Sequence, residues 1–139
     1  MVDVYIDGAS AGDPGPSGIG IMIKEADGIT SEFAIPVGMK NNHEAEFLAL
    51  SHALEICMEK GIRMVSVKTD SQLVDGAFNK RYVKNVAFQP LLAHIFQLET
   101  HFDFVFVKWI PSSQNKKTDQ LARNAIQLQK KSEKRPNTP

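Results

Sequence analysis

Apolar and polar positions change period several times along the chain, and each change marks an element. Val2, Val4 and Ile6 alternate with Asp3, Tyr5 and Asp7, the two-residue period of a half-buried strand. A Gly- and Pro-rich stretch, Gly8 to Gly18, follows. Gly18 to Lys24 alternates again, Asp27-Gly28 is a hairpin turn signal, and Ile29 to Val37 reads as a third strand. Pro36 cannot donate to a ladder, which places this third strand at a sheet edge. The period then lengthens. From His43 to Lys60 helix formers dominate, with Asn41 and Asn42 as candidate caps and Gly61 as the stop. Glu46, Leu50, Ala53 and Cys57 share one stripe of this helix, while Glu44, Ser51, Glu55 and Glu59 share another.

Met64 to Lys68 is a short strand ended by Thr69-Asp70-Ser71, and a short helix spans Ser71 to Phe78. Asn79 to Asn85 is a basic connector, and Pro90 opens a helix that reaches Thr100. Phe102 to Ile110 is strongly β-prone, Pro111 to Asn115 is a loop, and a last helix runs from Lys117 to Lys130. The order is β-β-β-α-β-α-α-β-α. A strand reached through a helical crossover is parallel to its neighbour. The expected architecture is therefore α/β: one domain over residues 1–128, with a mixed five-stranded sheet of three antiparallel strands and then two parallel ones. Helices cover both faces. Residues 129–139 lack apolar side chains and are expected to form a disordered polar tail.

Composition narrows the function classes only a little. Sixteen basic and sixteen acidic residues among 139 cancel, so net charge announces no nucleic-acid partner, although a local basic face remains possible. A single cysteine, Cys57, excludes an internal disulfide and a cysteine-rich zinc site. Asp3 and Asp7 interrupt the only apolar run near the start, which argues against a signal peptide, and no stretch is apolar enough for a membrane span. A cytoplasmic monomer with no membrane partner is the expectation.

Four acids stand out by position. Asp7 interrupts a strand, where an unpaired carboxylate is costly to bury. Glu46 lies on the apolar stripe of its helix, Asp70 sits at a strand end, and Asp119 lies in the first turn of the last helix. Each has an ordinary explanation. Asp7 can be a turn former, Glu46 can reach the helix edge, Asp70-Ser71 can cap a helix, and Asp119 can pair with Arg123 one turn on. Together they suggest more, because a mixed sheet with these connections can bring all four to one end. Clustered carboxylates repel unless a cation neutralises them, and oxygen ligands suit Mg²⁺ or Mn²⁺. Carboxylates holding two ions ~3.5–4 Å apart are an arrangement for phosphodiester cleavage.

The motifs around these acids are Asp7-Gly8-Ala9-Ser10-x-Gly12-Asp13-Pro14-Gly15-Pro16-x-Gly18, Asn42-x-x-Ala45-Glu46, Thr69-Asp70-Ser71-Gln72 and Asn115-x-x-x-Asp119-x-Leu121-Ala122-Arg123. In this order and spacing they resemble type 1 ribonuclease H. The resemblance implies the ribonuclease H-like fold and a metal-dependent endonuclease. Such an enzyme cuts the RNA strand of an RNA–DNA hybrid and leaves a 5′-phosphate and a 3′-hydroxyl. It implies that Asp7, Glu46, Asp70 and Asp119 are the catalytic, metal-associated acids, with two Mg²⁺ or Mn²⁺ ions when substrate is bound. Gly8, Ser10, Asn42, His43, Gln72 and Asn115 become substrate-binding candidates, in part through the 2′-hydroxyls that distinguish RNA from DNA.

Three departures from the common pattern are visible. His43 stands where many members carry Asn, and Asp13 where many carry Asn in the glycine loop. The loop before Asp119, Trp109 to Asn115, lacks the His of well-studied bacterial members and is similar to a subgroup with a shortened loop, so no catalytic His is assigned. Lys80-Arg81-Tyr82-x-Lys84 is either a partial replacement for the longer basic protrusion of other members or a solvated loop. Three rivals remain at this stage. A phosphate-loop nucleotide binder fits poorly, because the Gly/Pro loop leads into a strand and not a helix. The others are a catalytically silent domain of the same fold that binds nucleic acid or a protein, and a related nuclease that accepts duplex RNA.

Overall fold

The computed structural model describes residues 1–134. Its central strand is β1 (Val2–Ser10), which pairs antiparallel with β2 (Gly15–Lys24) and parallel with β4 (Met64–Thr69). β3 (Thr30–Lys40) lies outside β2, and β5 (Phe104–Trp109) lies outside β4, giving the order β3-β2-β1-β4-β5. The expected mixed five-stranded sheet is present, with β4 and β5 parallel to β1. Pro36 lies on the edge strand, as its missing donor requires.

The helices are α1 (Asn42–Glu59), α2 (Gln72–Lys80), α3 (Gln89–Glu99) and α4 (Lys116–Lys134). A capping box starts α1: Glu44 N–H donates to Asn41 Oδ1 at 2.8 Å, and Asn41 N–H donates to Glu44 Oε1 at 3.0 Å. On one face of the sheet Val4, Ile6, Ile19, Ile21, Ile23, Val65 and Val67 are wholly buried beneath α1 and its neighbours. The other face carries α4, which packs on β2, β3 and β1.

Several boundaries differ from expectation. β2 begins at Gly15, inside the Gly/Pro loop, and β3 continues past Val37 to Lys40. The register shifts where Ser17 faces Gly38 but Gly18 faces Pro36, so Val37 is the extra residue of a bulge. Two short 3₁₀ turns were not expected: Val86–Phe88, between the basic connector and Pro90, and Ser112–Gln114, inside the expected loop. The last helix runs to Lys134, so residues 129–134 are helical and not a disordered tail. Gly38 N–H donates to Gln129 Oε1 at 3.2 Å, which ties this part of α4 to β3. The rest of the expected tail, residues 135–139, lies outside the described residues. Among the described residues no helix is long and apolar enough to cross a membrane.

Candidate active site

The acid in β1 is set between two helices by two glycines. A Cβ on Gly8 would stand 2.3 Å from the carbonyl carbon of Ala45, so α1 rests directly on β1 there. Gly20 is the cross-strand partner of Asp7. A Cβ on Gly20 would stand 2.1 Å from the Thr118 carbonyl oxygen, so the first turn of α4 rests on the opposite face. Strand alternation puts Asp7 on the α4 face and Gly8 on the α1 face. Glu46 follows Ala45 and Asp119 follows Thr118, so these two close approaches carry both acids to Asp7. Asp70 arrives from the next strand, one residue past Thr69, whose neighbour Ile6 is its register partner.

All four acids line one cleft of about 490 Å³, with Gly8, Ser10, Asn42, Ser112 and Arg123 also on its walls. Asp7 is only 7 % exposed. Burial, and then the nearby charges of Asp70 and Asp119, push its carboxyl up from 3.8 to about 9. Glu46 and Asp119 are engaged by protein groups. Ser71 Oγ donates to Glu46 Oε2 at 2.9 Å, Asn42 Nδ2 donates to Glu46 Oε1 at 3.2 Å, and His43 Nδ1 lies 3.3 Å from Oε2. Arg123 Nε donates to Asp119 Oδ2 at 2.9 Å, the helix pairing expected from their spacing. Among the described residues no three His, Cys, Asp or Glu side chains close into a ready-made metal cage. The donor set still fits a hard divalent ion. It is all oxygen, it is crowded enough to hold a proton on Asp7, and Mg²⁺ keeps several water or phosphate ligands in such open sites.

The substrate candidates separate into three groups. Gly8, Ser10 and Asn42 share the acid cleft. His43 lies in an adjoining groove with Asp13, Asn85 and Phe88, its ring edge-on to Phe88 at 6.0 Å. Gln72 is exposed at the start of α2, in a groove with Lys80 and Lys84. Asn115 is the exception. It is 2 % exposed, its Nδ2 donates to Ile6 O at 2.8 Å, and its Oδ1 accepts from Thr118 Oγ1. Its carbonyl also receives Asp119 N–H at 3.1 Å. Asn115 therefore faces inward and ties the start of α4 to the residue before Asp7.

Other side chains support the site, and apart from the Ser71 cap the sequence did not single out their roles. Ser71 caps α2 by accepting from Val74 N–H at 3.1 Å while its own hydrogen goes to Glu46. Trp109 Nε1 donates to Asp70 O at 3.2 Å and so fixes the chain at that acid. Lys116, Ser112 and Ser113 form a further groove with Asp70 and Asp119. Arg81 leaves the basic connector: its guanidinium forks onto Glu99 at 2.7 and 3.1 Å and stacks 3.8 Å over the Phe96 ring. Among the described residues no buried side-chain N or O lacks a partner.

Comparison with known proteins follows the same lines. Residues 5–125 match the family described as Reverse transcriptase-like. The chain is 41 % identical over 129 residues to the Enterococcus faecalis protein named "Putative hydrolase EbsB", covering 91 % of this chain and 95 % of that one. It is 33 % identical to Ribonuclease HI of Halobacterium salinarum over 90 % of this chain, and spans 64 % of that protein's length. The solved structure of LC11-RNase H1 in complex with RNA/DNA hybrid superposes with a TM-score of 0.85 at 30 % identity, covering 92 % of this chain and 98 % of that one.

Proposed function

The chain belongs to the type 1 ribonuclease H family, and from that premise we propose that it hydrolyses the RNA strand of RNA–DNA hybrids, leaving 5′-phosphate and 3′-hydroxyl ends. One observation carries the proposal: Asp7, Glu46, Asp70 and Asp119, spread over 113 residues of sequence, line a single cleft beside an exposed groove system. Those four acids would hold Mg²⁺ or Mn²⁺. When bound with substrate, two such ions supply an activated water and charge neutralisation at the leaving oxygen.

The remaining work falls to the chain's own groups. Ser71 and Asn42 orient the Glu46 carboxylate by donating to its two oxygens. Asn115 fixes the distance between Asp119 and Asp7 through Ile6. Backbone at Gly8 to Ser10, with Asn42 and His43, forms the wall that would read 2′-hydroxyls in the minor groove. Gln72, Lys80 and Lys84 lie on another groove, placed to meet the hybrid's backbone as it leaves the cleft. Ser10 serves its own loop. Its hydroxyl lies 2.6 Å from Gly12 O and 2.8 Å from Lys40 O, so its contact to substrate would run through the backbone.

The intact acid set speaks against a silent domain of the same fold. The test is cleavage of end-labelled RNA–DNA hybrid beside duplex DNA and duplex RNA, with each metal, and analysis of product ends. RNA-strand cutting confined to the hybrid supports the proposal. Cutting of duplex RNA at a similar rate would assign a broader substrate.

A further inference from the structure

The sheet has a second surface that the cleft does not use. On β5, Val105 and Val107 face the core, so Phe104, Phe106 and Lys108 lie on the side that carries α4. That helix packs on β1, β2 and β3, and Phe104 and Phe106 are left 54 % and 49 % exposed. Their rings are nearly parallel, 11° apart in plane with centroids at 6.0 Å. The ladder register extends this row inward: Phe106 faces Ser66, and Ser66 faces Asp3; Lys108 faces Lys68, and Lys68 faces Tyr5. Two ammonium groups flank the Tyr5 ring, Lys24 Nζ at 5.2 Å and Lys68 Nζ at 5.7 Å from its centroid.

We propose that this face, built on Phe104, Phe106, Tyr5, Lys24 and Lys108, binds a single-stranded polynucleotide segment. The argument is chemical. Aromatic faces take bases of any sequence by stacking, and ammonium groups between them take the phosphates. The core of a protein-docking surface is depleted in lysine, whereas here the lysines sit among the rings. Asp3 matches the charge of Lys68. Lys24 and Lys108 form no ion pair among the described residues and are both exposed. Ser66 keeps the floor between the rings and β1 low. The face is also continuous with the acid cleft. Lys68 stands two residues before Asp70, and Lys108 precedes the Trp109 that donates to Asp70 O. A strand leaving the cleft by this side would pass over the rings.

The test uses the full chain and fluorescence anisotropy with labelled oligothymidylate. The Phe104→Ala/Phe106→Ala variant is expected to bind at least ~10-fold more weakly than wild type, and the paired Trp substitutions to restore binding. Lys24→Ala/Lys108→Ala is expected to flatten the salt dependence of binding. Cleavage of a blunt hybrid by these variants should stay within about twofold of wild type, because none of the residues lines the cleft. Unchanged oligothymidylate affinity in the alanine pair overturns the proposal. So does full binding by a Phe104→Leu/Phe106→Leu variant, which keeps apolar area but removes the stacking faces. Sedimentation showing a wild-type dimer that the phenylalanine variants convert to monomer would give the face to a second copy instead. Should the double alanine variant lose its melting transition, Phe106→Leu alone provides the same comparison. The inference stands apart from hybrid cleavage, since the binding assay contains no cleavable strand.

Discussion

Asp7 and Gly20 face each other across the β1–β2 ladder, and the absent side chain of one makes room for the helix that serves the other. A methyl group on Gly20 would meet backbone of α4, which cannot yield as a flexible side chain would. Gly20→Ala is therefore expected to lower stability by about 1–3 kcal/mol. It should also cut hybrid cleavage by more than ~10-fold, since a displacement of ~1 Å at a catalytic group is costly. Gly76, in the middle of α2 with nothing near its would-be Cβ, is the control. Gly76→Ala should raise stability by ~0.5–1 kcal/mol and leave cleavage alone. Thermal melts with single-turnover rates separate the two.

The raised Asp7 carboxyl gives a pH signature in metal-free protein. In the unfolded chain this group ionises near its ordinary 3.8, whereas in the fold it holds its proton to about 9. Between those values the native state binds the extra proton, so this contribution to stability is complete below the lower value and is lost as pH rises through the upper one. Asp7→Asn removes that dependence. In EDTA, the stability of wild type relative to Asp7→Asn should fall steadily from pH 5 to pH 8. Added Mg²⁺ should raise the wild-type melting temperature most at the alkaline end. A pH-independent difference between the two would contradict the crowding described for the cleft.

Much of this architecture was legible from period alone. The switch from two-residue to helical spacing near Asn41, the Asp27-Gly28 turn and the Pro36 edge signal all correspond to observed features. Asp7 and Glu46 stand out because each interrupts an apolar pattern, whereas Asp70 and Asp119 fit ordinary helix starts and join the set only through the motifs around them. What the sequence could not show was direction. Asn115 belongs to a motif with Asp119, but spacing does not say whether its amide faces solvent or Ile6. Gly8 is a substrate-binding candidate by its motif, but nothing in the motif says that the backbone approaching its Cβ position is that of α1. Arg81 sits in a basic run, yet its left-handed backbone, φ 62°, ends α2 and turns the side chain onto Phe96 and Glu99. Such outcomes depend on contacts between distant segments, which no local pattern encodes.

Asn115 is a positioning residue on this account. Asn115→Ala removes the side-chain donor to Ile6 O, while Thr118 Oγ1 keeps its bond to the Asn115 carbonyl at 3.0 Å, and should cost about 1–3 kcal/mol. Its effect on catalysis should appear in kcat with KM little changed, because the residue lies beneath the site. A rise in KM alone would return it to the substrate surface.

The basic connector should divide by residue. Lys80→Ala and Lys84→Ala should each weaken hybrid binding and reduce the salt slope by about 1. Arg81→Ala should leave the salt slope unchanged and instead lower the melting temperature, through loss of the Phe96 stack and the Glu99 fork. Titrations of hybrid binding between low and moderate salt distinguish these outcomes.

The central claim is that four carboxylates in one cleft cut the RNA strand of a hybrid. Asp70 tests it most directly, because it faces that cleft from a strand end whose geometry is fixed by Trp109 and Ser71. The measurement is single-turnover cleavage of a hybrid labelled on the RNA strand, with Mg²⁺ or Mn²⁺, by wild type and by Asp70→Asn. The predicted result is RNA-strand cutting by wild type and a loss of at least ~10³-fold in the variant, with an unchanged melting transition. Absence of cleavage by wild type with both metals, or full activity of folded Asp70→Asn, would contradict the account.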